Sequence, residues 1–389
     1  MLPPPFPHER AVSLCEGGGA SWCSCWGRYL KIGILLGDDI GKEVVPEAVK
    51  VMKSAARSCG LEIQWQELPV GKEGHERHGN TLPSVTEKAL HQLDGWILGP
   101  IGHAAYPRND PTWVMPPIRK KYELFAALRP ARSHPTLKSI HKDVDIVFVR
   151  ELTEGMLYSE TVIAGSAEFR PNDDITVAMR VITRKGSSRV AREAFELART
   201  RPKKKVTAAH KEPVYRLACG MFAEECRKVA RDYPDITFEE AMIDTISMKL
   251  VMAPQQYDVV VTTNQFGDIL SDIGAGLVGG LGLAPGLCVG ERQAMAQTTH
   301  GSAPDIAGLN IANPYAMIMS GQMLLAWLGR KHIEPKAVLA AERIRTAVDQ
   351  VIERGNCLTP DLGGRSSTSD FGHAVAEAVS GLVARASAR

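Results

Sequence analysis

Residues 264–286 read NQFGDILSDIGAGLVGGLGLAPG, and this stretch contains two patterns that indicate different chemistry. Three glycines beginning at Gly274 have the G-x-G-x-x-G spacing of a dinucleotide-binding turn. Asp268 and Asp272 are four residues apart, so on a helix their carboxylates would project from one side, as metal ligands do. The end of the preceding strand decides between the two patterns.

The glycine pattern fails this test of structural context. In a dinucleotide-binding turn the first glycine directly follows a strand, because the pyrophosphate must meet the N-terminus of the next helix. Here the predicted strand YDVVVTTN ends near Asn264, and Gly274 comes ten residues later. We therefore interpret these glycines as residues for close helix packing and for a crossing between two lobes.

Strands alternate with helices along most of the chain. Apolar runs such as KIGILL, GWILGP, VDIVFVR and KVTAAH are separated by helical stretches such as 187–199 and 214–231. This alternation predicts an α/β fold with a largely parallel sheet. We interpret 129–140 and 274–290 as crossings between lobes, so that the second lobe would be inserted into the first.

Composition excludes several classes of protein. The 389 residues, 44% hydrophobic and 23% charged, are typical of a globular protein with two domains. The net charge of +2 gives no general field that favours nucleic acid or an anionic membrane. The longest uncharged run, 273–290, contains seven glycines and a proline, so we do not interpret it as a membrane span.

The cysteines and the first residues bear on the compartment. Eight cysteines form no C-x-x-C pair and no regular framework, so we expect free thiols in a reducing cytoplasm. Residues 1–30 lack the apolar core of a signal peptide, and we interpret them as a disordered N-terminal extension or an extended start. Metal binding by Cys15, Cys23 and Cys25 is the alternative.

Acidic and basic residues near predicted strand ends suggest a site. Asp244, at the end of the predicted strand EAMIDT, joins Asp268 and Asp272. A single D-x-x-x-D pair is ordinarily a helix cap and an exposed acid, but three acids at strand ends favour Mg²⁺ or Mn²⁺, which take oxygen ligands. Three arginines converging on a cleft would select a dicarboxylic acid. The candidates are Arg119, Arg129 and Arg150.

Four motifs together resemble one family. NQFGDILSD, HGSAPDIAGLNIANP, LFAALRPAR and VRELTEG are similar to the β-decarboxylating dehydrogenases, which include isopropylmalate, isocitrate, tartrate and decarboxylating malate dehydrogenases. The resemblance runs from Lys31 to at least Gly329. It implies a two-lobed α/β subunit with the isocitrate/isopropylmalate dehydrogenase-like fold, not a Rossmann fold, working as a homodimer with shared active sites. The implied lobes are 31–124 plus 280–389, which would bind the cofactor, and 125–279, with the metal site and dimer interface.

The resemblance also implies residue roles. Asp268 and Asp272 would bind Mg²⁺ or Mn²⁺ together with the partner subunit's Asp244, and Arg119, Arg129 and Arg150 would hold the substrate carboxylates. Lys211, in AAHKEP, falls at the position of the catalytic lysine, which is also lent across the dimer. The cofactor would contact His300, Gly301, Ser302, Ala303, Asp305, Ile306 and Asn313.

The cofactor predicted from this resemblance is NAD. A carboxylate at Asp305 would accept hydrogen bonds from the ribose hydroxyls and repel a 2′-phosphate. Relatives that use NADP carry a lysine and a tyrosine where this chain has Asp305 and Ile306.

Two positions depart from the family pattern. Relatives carry a catalytic tyrosine where this chain has Leu157, and the adjacent Tyr158 replaces it only if the backbone shifts, because neighbours in an extended segment point to opposite faces. Relatives also carry an asparagine where this chain has Pro213, which has no amide donor. The predicted catalytic pair is therefore Lys211 and Tyr158.

The residues before Arg119 bear on the substrate. Isocitrate-type members have a serine and an asparagine where this chain has Trp113 and Met115, so a charged γ-substituent is disfavoured. The predicted activity is oxidative decarboxylation of a (2R)-2-hydroxy diacid, with 3-isopropylmalate first and D-malate or tartrate as alternatives. A regulatory homologue that binds NAD or substrate without turnover is an alternative of a different class.

Overall fold

The computed structural model describes residues 29–102, 115–156 and 167–387. Its strands are β1 (Leu30–Leu35), β2 (Ile63–Glu67), β3 (Gly95–Leu98), β4 (Ala126–Arg132), β5 (Asp145–Glu151), β6 (Glu168–Asn172), β7 (Ile175–Ala178), β8 (Lys205–His210), β9 (Thr237–Met242), β10 (Val259–Thr262), β11 (Leu287–Val289) and β12 (Ala294–Ala296). Its α-helices are α1 (Gly41–Ser58), α2 (Gly71–His78), α3 (Ser84–Leu90), α4 (Met115–Lys121), α5 (Arg184–Arg199), α6 (Ala218–Ala230), α7 (Ile243–Met252), α8 (Asn264–Val278), α9 (Tyr315–Lys331), α10 (Pro335–Arg354) and α11 (Thr368–Ser387).

Ten strands form one sheet, in the order β2-β1-β3-β12-β11-β4-β5-β10-β8-β9, and β6 pairs with β7 in a separate hairpin. The outer strands pair in parallel, as the alternation of strands and helices predicts. The middle pairs, β12 with β11, β11 with β4 and β4 with β5, are antiparallel. The α/β prediction is confirmed, and the sheet is less uniformly parallel than the sequence indicates.

The order of strands follows the two ends and the middle of the chain. β1, β2 and β3 lie beside β11 and β12, whereas β4, β5, β8, β9 and β10 form the other half. The lobe limits at 124/125 and 279/280 stay a prediction. The crossings at 129–140 and 274–290 also stay a prediction; residues 129–132 belong to β4 and residues 274–278 belong to α8, so each segment begins within a regular element.

Some predictions concern the first residues, the thiols and membranes. Leu30 is already part of β1 and buried, so β1 begins inside the predicted extension of residues 1–30, and residues 1–28 lie outside the described part. The described cysteines are free, as expected. Among the helices of the described ranges, none is both long and apolar enough to cross a membrane.

Candidate active site

Helix α8 carries Asp268 and Asp272 on one exposed side. It begins directly after β10, which places the aspartates beyond the end of a buried strand. The side chain of Asp268 is 45% exposed, and Asp272 is exposed. The sequence offers Ile269, Leu270 and Ile273 as the residues that face inward. Leu270 is fully buried and Ile273 is partly buried against the core, but Ile269 is 55% exposed, so the expectation is wrong for Ile269.

Of the glycines in the G-x-G-x-x-G pattern, Gly274 serves packing, as predicted, whereas a Cβ atom on Gly276 would meet open space. A Cβ atom on Gly274 would lie 2.4 Å from Cε2 of Phe148 in β5, and Gly279 ends the helix with a φ of +128°. A Cβ atom on Gly267 would lie 2.7 Å from Cβ of Arg150. Distances this short require a residue without a side chain. The glycines therefore let α8 approach the strands that carry the arginines.

Two of the predicted arginines converge on Asp268. Nη1 of Arg129 donates to Oδ1 of Asp268 (3.0 Å), and Nη1 of Arg150 donates to the same oxygen. Arg150 pairs in register with Ala127, two residues from Arg129, so both guanidiniums lie on one face of the sheet. The face covered by α8 therefore holds two cations against one carboxylate.

Asn264 fixes the orientation of Arg150. Its Oδ1 accepts hydrogen bonds from Nε (3.1 Å) and Nη2 (2.7 Å) of Arg150, which leaves Nη1 directed at Asp268. Asn264 is fully buried, and among the described residues its Nδ2 has no hydrogen-bond partner. Sequence reasoning places Asn264 only at the end of a strand. The signal that could have marked it as a site residue is its position as the first residue of α8, which directly follows that strand.

The two aspartates of α8 differ in their environment. Burial and the charge of Asp268 raise the pKa of Asp272, against the opposing effect of Arg129 and Arg150. The carboxylate of Asp268 is already neutralised by the two arginines. Asp272 therefore presents an exposed carboxylate beside the one that the two arginines hold.

Arg119 lies at the same end of the sheet by a different contact. Its Nη2 donates to Oε1 of Gln297, the residue after β12 (3.3 Å). Leu287 of β11 pairs with Ala296 of β12 on one side and with Leu128 of β4 on the other. The residues that follow these two partners, Gln297 and Arg129, are therefore level with each other across β11, two strand spacings or about 10 Å apart. Of the predicted specificity residues, Trp113 lies outside the described residues, and Met115 is the first residue of α4.

Lys211 and Asp244 form an ion pair at the far side of the same half-sheet. Lys211 follows β8, and Asp244 follows β9, its parallel neighbour. Nζ of Lys211 lies 2.6 Å from Oδ2 of Asp244, and this hydrogen bond lowers the pKa of Asp244. Asp244 belongs to the first turn of α7, not to a strand end as the sequence indicates. Tyr158 and Leu157 lie outside the described residues.

One chain does not assemble the three predicted metal ligands. Within the described ranges, the one set of three metal-ligating side chains with ligand atoms all within 4.8 Å is His210, Glu212 and Glu240. The carboxylates of α8 and Asp244 do not form such a set. A donation of Asp244 by a second subunit stays a prediction.

The predicted cofactor loop, 300–314, is irregular, as expected, and packs on the start of α1. Ser302 O accepts from Ile40 N (3.2 Å), and Gly308 N donates to Oε1 of Glu43 (2.6 Å). Ala303 has a φ of +44°, a left-handed conformation that is unusual for a residue with a Cβ atom. The loop is therefore held in a defined shape on one helix.

The side chains of this loop differ in availability. Asp305 is exposed, and burial lowers the pKa of His300. Asn313 is buried: its Nδ2 donates to Oδ2 of Asp361 (3.0 Å), and its Oδ1 accepts from Tyr315 N at the start of α9 (2.9 Å). The contact of Asn313 with adenine stays a prediction, and Asp361 is a neighbour that sequence reasoning misses.

Asp38 is a further residue that the sequence does not reveal. It is 3% exposed, and its two carboxylate oxygens accept from Lys72 N and Gly102 N, both at 2.8 Å. These bonds join the turn after β1 to the start of α2 and to the turn after β3. A Cβ atom on Gly102 would lie 3.3 Å from Oγ of Ser302, so Asp38 organises the surroundings of the cofactor loop.

Ligands of α/β proteins bind beyond the carboxyl ends of the strands, and acidic and basic side chains meet there beside α8. Residues 31–375 match the isocitrate/isopropylmalate dehydrogenase family, and the chain belongs to this family. It is therefore a decarboxylating hydroxy-acid dehydrogenase. The resemblance drawn from the four motifs and the predicted fold are both confirmed.

Several relatives align with this chain over about nine-tenths of its length. It is 41% identical to a 3-isopropylmalate dehydrogenase of Archaeoglobus fulgidus, over 89% of this chain and 98% of the relative. It is 40% identical to an isocitrate/homoisocitrate dehydrogenase of Thermus thermophilus, over 90% of this chain and 99% of the relative. The solved isocitrate dehydrogenase of Methylococcus capsulatus has a TM-score of 0.79 at 40% identity, covering 90% of this chain and 99% of that one.

Proposed function

We propose that the protein catalyses the NAD-dependent and divalent-metal-dependent oxidative decarboxylation of a (2R)-2-hydroxy diacid, with 3-isopropylmalate as its substrate. The observation that carries this proposal is the convergence of Arg129 and Arg150 on Asp268 beside the open carboxylate of Asp272. This geometry provides cations for substrate carboxylates next to oxygen ligands for a metal.

The residues fit a divalent cation and an oxygen-rich substrate. Mg²⁺ and Mn²⁺ take carboxylate ligands, and the raised pKa of Asp272 marks a carboxylate whose charge is poorly compensated. The buried Nδ2 of Asn264 has no acceptor among the described residues, so a ligand oxygen would satisfy it. When bound, the metal would act as a Lewis acid on the oxygens of the substrate.

The chain's own residues would then carry the proton transfers. Lys211 would accept the proton of the 2-hydroxyl group while the hydride leaves C2 for the nicotinamide, which yields the 2-oxo diacid. The 3-carboxylate leaves as CO₂, and Tyr158 is proposed to protonate the resulting enol. Arg119, Arg129 and Arg150 would hold the carboxylates, which orients C2 and C3 for these steps.

The proposed active unit is a homodimer in which Lys211 and Asp244 serve the partner's site. Supporting this, α7 packs on α8, and apolar side chains of α8 and of the segment around α7 are exposed. Exposed apolar patches of this kind mark protein contacts. The side chains are Met242, Met248, Val251, Met252 and Ile269.

The choice of substrate is tested by a panel of (2R)-2-hydroxy diacids with NAD and Mn²⁺. We expect the highest kcat/KM for 3-isopropylmalate, with D-malate or tartrate next. We expect isocitrate to be at least about 100-fold poorer, because its third carboxylate would lack a polar partner at Trp113 and Met115. Chelation with EDTA should abolish turnover, and added Mn²⁺ should restore it. Isocitrate as the preferred substrate would refute this assignment.

The choice of cofactor is tested by Asp305→Lys combined with Ile306→Tyr. We expect kcat/KM with NAD to fall at least about tenfold, because the exposed carboxylate that would accept hydrogen bonds from the ribose hydroxyls is removed. We expect kcat/KM with NADP to rise, because no carboxylate then repels its 2′-phosphate. Glu291→Lys, the same change of charge on the exposed turn between β11 and β12, is the control and should leave the ratio unchanged. An unaltered NAD/NADP ratio in the double variant would place the discrimination elsewhere.

A further inference from the structure

Four side chains lie around the backbone of Lys211. We name them the His210 cluster: His210, Glu212, Arg227 and Glu240. Nε of Arg227 donates to Oε1 of Glu240 (2.8 Å), and its Nη2 donates to Oε2 of Glu240 (2.7 Å) and Oε2 of Glu212 (2.6 Å). Nε2 of His210 lies 2.9 Å from Oε2 of Glu240. The guanidinium therefore joins two carboxylates, and one of these carboxylates joins the imidazole.

The cluster has ligand types suited to a metal, but it already contains its cation. His210, Glu212 and Glu240 form the compact set of ligand atoms noted above. Arg227 donates to both carboxylates of this set, so its guanidinium supplies the positive charge. Burial acts to raise the pKa of Glu240, but hydrogen bonds from Arg227 and His210 outweigh it and hold that pKa below its ordinary value. We therefore interpret the cluster as a partly exposed ion-pair network, in which the side chains of Arg227 and Glu212 are 44% and 35% exposed.

The cluster fixes the backbone on both sides of Lys211. The N–H of Glu212 donates to Nδ1 of His210 (3.2 Å), so the proton of the neutral imidazole lies on Nε2 and is donated to Glu240. His210 is the last residue of β8, and Lys211 is the first residue beyond the strand. Both neighbours of Lys211 are thus bound to side chains of other elements, Glu240 of β9 and Arg227 of α6.

The same strand also controls the other end of the Lys211 side chain. β9 carries Glu240 and leads directly into α7, where Asp244 contacts Nζ of Lys211. Both the backbone next to Lys211 and its side-chain amine are therefore held by residues of β9 or of the helix that directly follows it. Pro213, two residues later, has no N–H, and the turn is closed instead by the N–H groups of Val214 (3.1 Å) and Tyr215 (2.9 Å), which both donate to the carbonyl of Lys211. The side-chain contacts of the cluster join this turn to β9 and α6.

From this geometry we propose that Arg227 is a positioning residue that acts on Lys211 through Glu240, Glu212 and His210. The inference rests on the proposed role of Lys211 as the proton acceptor. A displacement of a catalytic group by about 1 Å can cost about 100-fold in rate, so the loss of Arg227 should act mainly on kcat.

The test compares Arg227→Met with Arg227→Lys and with Arg184→Met. Arg184 is a matched control, because it joins Glu224 (2.9 Å) and Glu225 (2.8 Å) of the same helix α6 without contact to the His210 cluster. We expect Arg227→Met to lower kcat by about 10- to 100-fold while the KM values for diacid and NAD change by less than about threefold. Arg227→Lys should recover most of kcat, and Arg184→Met should match the wild type.

A double-variant cycle separates positioning from a general structural effect. In a Lys211→Met background, Arg227→Met should lower the residual kcat by less than about twofold further, because the amine that Arg227 would position is absent. Glu240→Gln, which keeps the acceptor for His210 but removes the charge that Arg227 binds, serves as a second variant should Arg227→Met fold poorly.

Two results would overturn the inference. The first is an unchanged kcat in Arg227→Met and Glu240→Gln; the second is an equal loss from these changes with and without Lys211. Retention of full turnover by Lys211→Met alone would instead refute the role of Lys211 in the proposed function, and it would be recognised before the cycle is interpreted.

Discussion

Asp268→Asn is expected to lower kcat with saturating Mn²⁺ by at least about 1,000-fold while the protein remains folded. The substitution keeps an oxygen that accepts hydrogen bonds from Arg129 and Arg150, but it removes the charge that a divalent cation requires. Steady-state turnover measures the first effect, and circular dichroism with thermal unfolding measures retention of the fold.

A matched acid–arginine pair on the other face of the same strand provides the control. Arg132 of β4 contacts Asp349 of α10 (3.2 Å), three residues along the strand from Arg129. Asp349→Asn makes the same chemical change and should leave kcat within about twofold of the wild type. Full turnover in Asp268→Asn, or an equal loss in Asp349→Asn, would show that the metal site has been placed wrongly.

The second large effect is expected for Lys211→Met, which should lower kcat by about 100- to 10,000-fold with little change in the KM for the diacid. The amine that would accept the substrate proton is removed, while the arginines that would bind the carboxylates remain. Asp244 also loses the hydrogen bond that lowers its pKa, so that pKa should rise towards its ordinary value. Initial rates over a range of pH test both consequences.

Mixing the two inactive variants tests whether sites are shared between subunits. In a shared site, the Asp268→Asn subunit lends its intact Lys211 to the Lys211→Met subunit, so one site of each mixed dimer regains every group. Random reassociation after mild denaturation should then recover about a quarter of the wild-type rate. If each chain built its own site, every site would keep one defect, and mixing would recover nothing.

The sequence predicts those parts of the fold that have long periodic patterns. β1, β5, β8 and β10 are found because each is an apolar run with clear turns around it. β11 and β12 escape prediction because a strand of three residues is too short to show an alternation of apolar and polar side chains. β4 is not predicted as a strand because Pro130 within it and Pro135 after it resemble a connector.

The candidate site was predictable as residue types and less so as contacts. The spacing of Asp268 and Asp272 is a local property of a helix, and sequence conveys it. The fork between Asn264 and Arg150 joins residues more than 100 positions apart, and no pattern within one element reports such a pair. Ile269 shows the remaining difficulty: an apolar residue at a core-like position has the same pattern when it instead faces outward.

The continuous ten-stranded sheet has a mechanical consequence. The strands from the two ends of the chain and those from its middle are joined by the hydrogen bonds between β11 and β4, and not by a flexible linker alone. Any change in the angle between the two halves must therefore be taken up as altered twist between neighbouring strands. Arg129 lies on β4, directly at this junction, so a torsion there would displace the guanidinium that we propose holds a substrate carboxylate.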